Sequence, residues 1–377
     1  MKIQHLHIRN FRNHPESAVE FGPGMNVLVG GNGQGKTNIL EAIAYLGLTK
    51  SFFSAGDDLV LRHSETAFEI DGRILTDAGS VQGVQIRFDR LSGCKELRVN
   101  GVLLERPAEL IGRFPVVVLS PESSRITSGP PGERRKFLDM VLAQRSRSYL
   151  EDLLEYRKVL RQRNHLLVEA KASRVVDLDL LEPWTESLAR IGGRIVARRR
   201  DFVVEFQDVL LRSHETLAGK EDVIGLSYRT TPPIADGLDS DAIASLLGAA
   251  LREAGQTEVR RGVTLAGPQR DDLVLTLNRM SVQDHASQGQ HKTFLLAMKI
   301  AEFDYLAGAL EETPSLLLDD LFGELDLERA GRIVELVSML GQSVITTTSD
   351  TTFGGTRVLN GTTRRFVVKN GTCEVLS

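Results

Sequence analysis

The chain has 377 residues, of which 41% are hydrophobic and 25% charged, with a net charge of −4. That is the composition of a soluble globular protein with room for two domains, or for one domain with a large insertion. No run approaches the roughly 18 apolar residues of a membrane span, Met1–Phe11 lacks the apolar core of a secretion signal, and two cysteines, Cys94 and Cys373, make neither a disulfide framework nor a metal-ligand spacing, so no membrane partner and a cytoplasmic location are expected.

Residues 1–21 read as strand, turn, strand, with Leu6, Ile8 and Phe11 apolar and Asn10-Phe11-Arg12-Asn13 as a polar corner. The apolar run Met25–Val29 follows, then Gly30 to Thr37, GGNGQGKT, which fits the phosphate-loop pattern G-x-x-x-x-G-K-[ST]. A helical run comes next, with Ile39, Leu40, Ile43 and Leu46 on one face and a stop at Gly47. Strand, tight loop and helix leave N–H groups unpaired at the helix start, and the helix dipole adds positive character there. Gly30, Gly31, Asn32, Gly33, Gln34, Gly35, Lys36 and Thr37 are therefore candidate ATP-binding residues. Gly33 and Gly35 allow positive φ, Lys36 would reach the β- and γ-phosphates, and the Thr37 hydroxyl would hold Mg²⁺.

Short alternating segments at Phe68–Ile70, Val84–Phe88 and Leu97–Val99 predict an antiparallel sheet, with a type I′ hairpin turn at Asn100-Gly101. Val116–Leu119 reads as a buried strand. From Ser120 to about Leu217 the pattern is helical, with apolar faces at Phe137/Leu138/Val141/Leu142, Leu150/Leu153/Leu154/Leu160 and Ile191/Ile195/Phe202/Phe206. Arg125 to Glu215 holds 18 Lys and Arg against 14 Asp and Glu, a net +4; the rest of the chain, with 28 against 36, is −8. Arg157, Lys158, Arg161, Arg163 and Arg198-Arg199-Arg200 would suit a phosphate backbone or, equally, be solvated faces with i,i+4 partners.

Residues 222–231 and Leu273–Leu277 read as strands, and Asp241–Glu253 as a short helix. Ser287-Gln288-Gly289-Gln290 then opens an amphipathic helix: it either turns a hydroxyl and free N–H groups to an anion or simply caps the helix. Ser315–Leu318 is a buried strand ending in Asp319 and Asp320. A phosphate loop needs such a carboxylate on a neighbouring strand; Asp319 would hold Mg²⁺, and Asp320 would orient or deprotonate the attacking water or else serve as a helix N-cap. With Lys36 these form the candidate catalytic set. Val344–Thr348 is a further core strand, and a hairpin turns at Asn370-Gly371.

The order of phosphate loop, long insertion, SQGQ, LLLDD and Glu324-Leu325-Asp326 resembles the ATPase heads of the ABC/SMC class and, more closely, the RecF family. The resemblance runs nearly end to end through Asn10–Asn13, GGNGQGKTN, Ser120-Pro121-Glu122, Arg134-Arg135 with Phe137-Leu138-Asp139, Gly267–Asp272 (GPQRDD), SQGQ and LLLDDLFGELD. Gln269 stands where the family usually has histidine, and Gly323 where it usually has serine.

It implies an α/β fold: a P-loop ABC/SMC-type ATPase head, with a mixed sheet, flanking helices and an antiparallel β subdomain, carrying an inserted helical lobe. The expected division is 1–122 and 221–377 for the ATPase body and 123–220 for the lobe. It further implies a homodimer formed on ATP, in which Ser287 and Gly289 touch the partner's γ-phosphate, Gln288 and Gln290 flank them, and Asp326 sits at the interface. Double-stranded and gapped DNA, RecO and RecR are the implied partners, in loading RecA during repair. Arg134 and Arg135 are the first candidate DNA contacts, with an ion pair between lobe and body as the plainer reading. The class usually places glutamate where Asp320 stands, so slow hydrolysis is expected. The alternatives are a transporter's nucleotide-binding subunit, which would call for an LSGGQ-like signature, and an ATP-gated scaffold without catalysis.

Overall fold

The polar corner turns the chain because Asn10 and Arg12 both take φ 53°, a left-handed conformation that asparagine tolerates better than most residues. It joins β1 (Lys2–Phe11) to β2 (His14–Glu20) in antiparallel register from His5–Glu20 to Phe11–His14. The computed structural model describes residues 1–53, 56–173, 178–320, 327–348 and 363–376. These fall into two compact units, Met1–Ser123 with Glu302–Ser377, and Ser124–Ala301.

In the first unit, β3 (Met25–Val29) leads through the loop to α1 (Lys36–Leu48). An antiparallel sheet of order β2-β1-β4-β5-β6-β7 adds β4 (Ala67–Leu75), β5 (Val81–Asp89), β6 (Cys94–Val99) and β7 (Val102–Leu103). Asn100 and Gly101, at φ 51° and 80°, make the expected type I′ turn. Alternation buries Phe68, Ile70, Ile74, Val84 and Ile86, and α1 packs so closely here that a Cβ on Gly72 would lie 2.3 Å from Leu46. The helix runs through Gly47, which tucks under the Phe114 carbonyl, and ends at Thr49 (φ 59°) instead.

The second sheet has order β15-β14-β3-β13-β12-β8, with β8 (Val116–Leu119), β12 (Ser315–Leu318), β13 (Ser343–Thr347), β14 (Arg364–Lys369) and β15 (Thr372–Val375). All its pairings are parallel except the β14–β15 hairpin. The central strands β12 and β13 are buried along their whole length, as strands of a parallel sheet usually are, and so is the edge strand β8. Parallel pairing brings the carboxyl ends of β3, β13 and β12 to one edge, the usual place for a ligand crevice.

The second unit holds α2 (Arg125–Ser128), α3 (Pro131–Arg145), α4 (Arg147–Ser173), α5 (Glu182–Ala218) and α6 (Ser240–Arg261). It also holds β9 (Ile224–Arg229), β10 (Asp272–Leu277) and β11 (Met280–Ser281) in the order β11-β10-β9, α7 (Val282–His285), and most of α8 (Gln288–Ala309). The expected lobe boundary at 220 falls inside this unit, because α6 and β9 both pack on α5. Gly193 makes that packing close: a Cβ there would sit 2.4 Å from the Ser240 carbonyl. Helix α6 is longer than the expected 241–253; Asp239 caps its start and Gly262 (φ 74°) ends it. In the first unit, α9 (Leu327–Leu340) lies between β12 and β13 in the chain.

Candidate nucleotide site

The site starts from backbone donors. Gly35 precedes α1 at φ 111°, and no side chain caps the helix; Asn38 N–H bonds the Gly35 carbonyl at 3.1 Å, which leaves the Lys36 and Thr37 N–H groups for the loop. Gly33 also has positive φ (73°). A Cβ on Gly35 would lie 2.6 Å from both Asn13 Oδ1 and His14 Nε2, and one on Gly30 would lie 2.4 Å from the Val368 carbonyl. Lys36 is only 7% exposed and donates from Nζ to the Gly30 and Gly31 carbonyls at 2.7 and 2.9 Å. Burial pushes its pKa down, while Asp320 and then Asp319 pull it up.

Thr37 Oγ1 donates to Asp319 Oδ1 at 2.7 Å, and Thr346 Oγ1 donates to the same oxygen at 2.8 Å. Burial raises the Asp319 pKa, against the two hydroxyl hydrogen bonds. Asp320 is exposed, has φ 49°, and donates its N–H to Thr346 Oγ1 at 2.9 Å. A left-handed aspartate at a strand end is a conformation often held at functional sites. Asn13, Asn32 to Asn38, Asp320 and Thr346 line a cavity of about 210 Å³.

The fold thus gathers Lys36, Thr37, Asp319 and Asp320, although β12 is separated from β3 by β13. Sequence reading missed Thr346, whose hydroxyl bridges that gap. The only signal was a threonine at the end of a core strand, and it means nothing until the strand order is known. Asn13 was legible as a corner but not as cavity wall. Donors and lysine suit a polyphosphate. Thr37 and Asp319 offer hard oxygen ligands of the kind Mg²⁺ takes alongside phosphate and water.

In the second unit, Ser287 N–H donates to Gln290 Oε1 at 2.9 Å and Gln290 N–H to Ser287 Oγ at 3.3 Å. This is a capping box, so the capping role of Ser287 is present. All four residues Ser287–Gln290 are nevertheless exposed, and nothing lies within 4 Å of a Cβ built on Gly289. Glu324-Leu325-Asp326, and Gly323 before them, lie outside the described residues.

Arg134 is 5% exposed and holds Asp272 by two bonds, Nε to Oδ1 at 2.8 Å and Nη2 to Oδ2 at 3.0 Å. Its guanidinium is taken up inside the unit, which favours the ion-pair reading of Arg134 over a DNA contact. Arg135 is half-buried and donates to the Asp271 carbonyl at 2.6 Å. The GPQRDD segment is where these bonds meet: Gln269 accepts from the Tyr156 hydroxyl, and Asp271 from the Tyr228 hydroxyl and the Thr231 N–H.

The sequence profile of the RecF/RecN/SMC N terminal domain family matches residues 2–370. The chain is 41% identical over 351 residues to the DNA replication and repair protein RecF of Salinibacter ruber, covering 92% of this chain and 85% of that one. Two solved structures of the recombination mediator protein RecF in the RecFOR pathway, one with ATPrS and one with ATP, are similar throughout. Their TM-scores are 0.92 and 0.89 at 28% and 29% identity, covering all of this chain and 98% and 99% of theirs.

Proposed function

The chain belongs to the RecF/RecN/SMC N-terminal domain family, on its RecF branch, and from that premise we propose an ATP-binding recombination mediator of DNA repair and replication that dimerises on ATP. The observation that carries the nucleotide reading is the 2.7 Å bond from Thr37 to Asp319 beside the exposed loop donors. Lys36 would turn from the loop carbonyls to the β- and γ-phosphates, and Ser287 and Gly289 would reach the γ-phosphate bound to a second copy. A γ-phosphate held from two surfaces favours the closed dimer, which is what a population shift requires. Asp320 would orient or deprotonate the water. Its side chain is one methylene shorter than glutamate, which favours slow turnover and a switch over a motor. Mg²⁺ held by Thr37 and Asp319 would supply charge neutralisation between phosphate oxygens.

Duplex and gapped DNA, RecO and RecR complete the proposal, with the cytoplasm as its location. Among the described residues no helix is long and apolar enough to cross a membrane, and family membership removes the transporter alternative. The scaffold alternative is separated by ATP turnover of Asp320→Ala: a rate equal to the native background favours the scaffold. The main test is anisotropy of labelled duplex and gapped DNA with ATP or ADP, using native protein and Lys36→Met. Binding that needs ATP and is lost in the variant is expected; binding indifferent to nucleotide would remove the switch.

A further inference from the structure

The turn of the β14–β15 hairpin reaches the phosphate loop. Gly371 N–H donates to the Gln34 carbonyl at 3.0 Å, and Asn370 N–H to Gln34 Oε1 at 2.7 Å. The approach is close enough that a Cβ on Gly371 would sit 2.3 Å from the Asn13 carbonyl. Beside the same turn lies His14, which is fully buried. Its Nε2 is 3.0 Å from the Gly35 carbonyl and its Nδ1 2.9 Å from Ser17 Oγ, while Ser17 Oγ donates to the Gly371 carbonyl at 3.0 Å.

Counting hydrogens exposes a conflict. A carbonyl only accepts, so Nε2 must carry a hydrogen to bond Gly35. Ser17 has one hydroxyl hydrogen; while Gly371 receives it, Nδ1 must carry a hydrogen as well. A neutral imidazole carries one. All three bonds therefore coexist only on the imidazolium. With a neutral ring, either Ser17 turns its hydrogen to Nδ1 and lets Gly371 go, or Nε2 faces the Gly35 carbonyl bare.

We propose that His14 is a positioning residue for the phosphate loop: with Ser17 it ties Gly35 to the Asn370-Gly371 turn, and it holds the loop in its polyphosphate-binding form best when both ring nitrogens carry hydrogen. The inference rests on the nucleotide reading of the loop. The ring's pKa is lowered by burial above all, opposed by its backbone contacts at Gly35 and Gly371, so the neutral ring is the ordinary state near pH 7. Charged groups on the elements around it include Arg12 and Glu16 on its own hairpin, Lys36 and Glu41 on α1, and Lys369 and Glu374 on the β14–β15 hairpin, with Glu41 held by Arg12. A bound polyphosphate adds negative charge beside the ring and favours the imidazolium.

The test is the affinity of ATP and of ADP between pH 6 and pH 8 for native protein, His14→Gln and Ser17→Ala. Glutamine keeps an amide donor but does not titrate. The ratio of native to His14→Gln affinity, in which the nucleotide's own ionisation cancels, should rise about threefold to tenfold from pH 8 to pH 6, the worth of one hydrogen bond. Ser17→Ala, which removes the competing hydroxyl, should lose most of that rise. A ratio constant across pH for both variants would reduce His14 to packing and overturn the proposal. If thermal unfolding shows His14→Gln to be misfolded, Ser17→Ala decides alone. Native protein that binds no nucleotide at all would sink the reading of the loop itself, a separate outcome.

Discussion

The phosphate-loop region and the 124–301 unit both concentrate charged residues, and they treat them in opposite ways. Around the loop, backbone donors, Lys36 and Asp320 line a cavity, and the bonds they make are to groups of the loop itself or to a neighbouring hydroxyl. In the 124–301 unit the charges satisfy one another. Arg199 is 2% exposed and donates to Asp139, the Tyr149 and Tyr228 hydroxyls and the Pro268 carbonyl. Arg163 pairs with Glu258 at 2.7 Å with both buried, and Arg198 with Asp152 at 2.9 Å. Part of the positive charge of the helical stretch is therefore a folding device. Net charge along a sequence does not distinguish a face that waits for a ligand from a core that has used its charges.

The contrast is broken most severely at Arg134. Replacing it with Met leaves Asp272, among the described residues, with the exposed Arg229 at 3.1 Å as its basic partner. The loss of a buried partner should cost about 3 kcal/mol or more in urea unfolding. Lys36→Met is the counterpart: it should abolish ATP affinity yet shift the unfolding free energy by less than about 1 kcal/mol. If Lys36→Met were the more destabilising of the two, the distinction between the regions would fail.

A smaller effect is expected at Asp271, whose pKa is raised to about 6 by burial, against the Tyr228 hydrogen bond, the Arg199 charge and the Thr231 N–H. Its value in the unfolded chain is about 4. Because the folded value is the higher one, protonated Asp271 favours the fold; that contribution is complete below pH 4 and is lost as pH rises through 6. From pH 5 to pH 7 the native protein should lose about 1 kcal/mol more stability than Asp271→Asn, read from denaturation midpoints at the two pH values. Parallel losses in the two proteins would show that Asp271 does not titrate in this interval.

The smallest stability effect belongs to Lys158 and Arg161, both exposed on α4. Their double replacement by Ala should change stability by no more than about 0.5 kcal/mol. If this face meets DNA, the same variant should lower the salt dependence of duplex binding by roughly one phosphate contact per residue removed. An unchanged salt slope would take this face out of the DNA footprint.

Much of the molecule was determined locally. The glycines, lysine and threonine of GGNGQGKT specify a strand–loop–helix cradle within eight residues, and paired positive-φ sites at Asn100-Gly101 and Asn370-Gly371 set their own hairpins. The buried strands were legible because a parallel strand covered on both faces tends to a near-continuous apolar run. Other features depended on residues far apart in the chain. Thr346 became part of the site only through strand order, and Gln269 and Asp271 acquired partners at Tyr156 and Tyr228. The unit boundary moved to Ala301 because α6 and β9 found α5. Nothing in the sequence singled out His14 until the last hairpin of the chain came to rest against the first. Sequence by itself determined the groups whose partners are their own neighbours, since capping, turn and pleat geometry reach only a few residues. Tertiary structure decided every polar group whose partner lies in another element, because a hydrogen bond or ion pair carries no trace in the sequence until packing brings its two halves together.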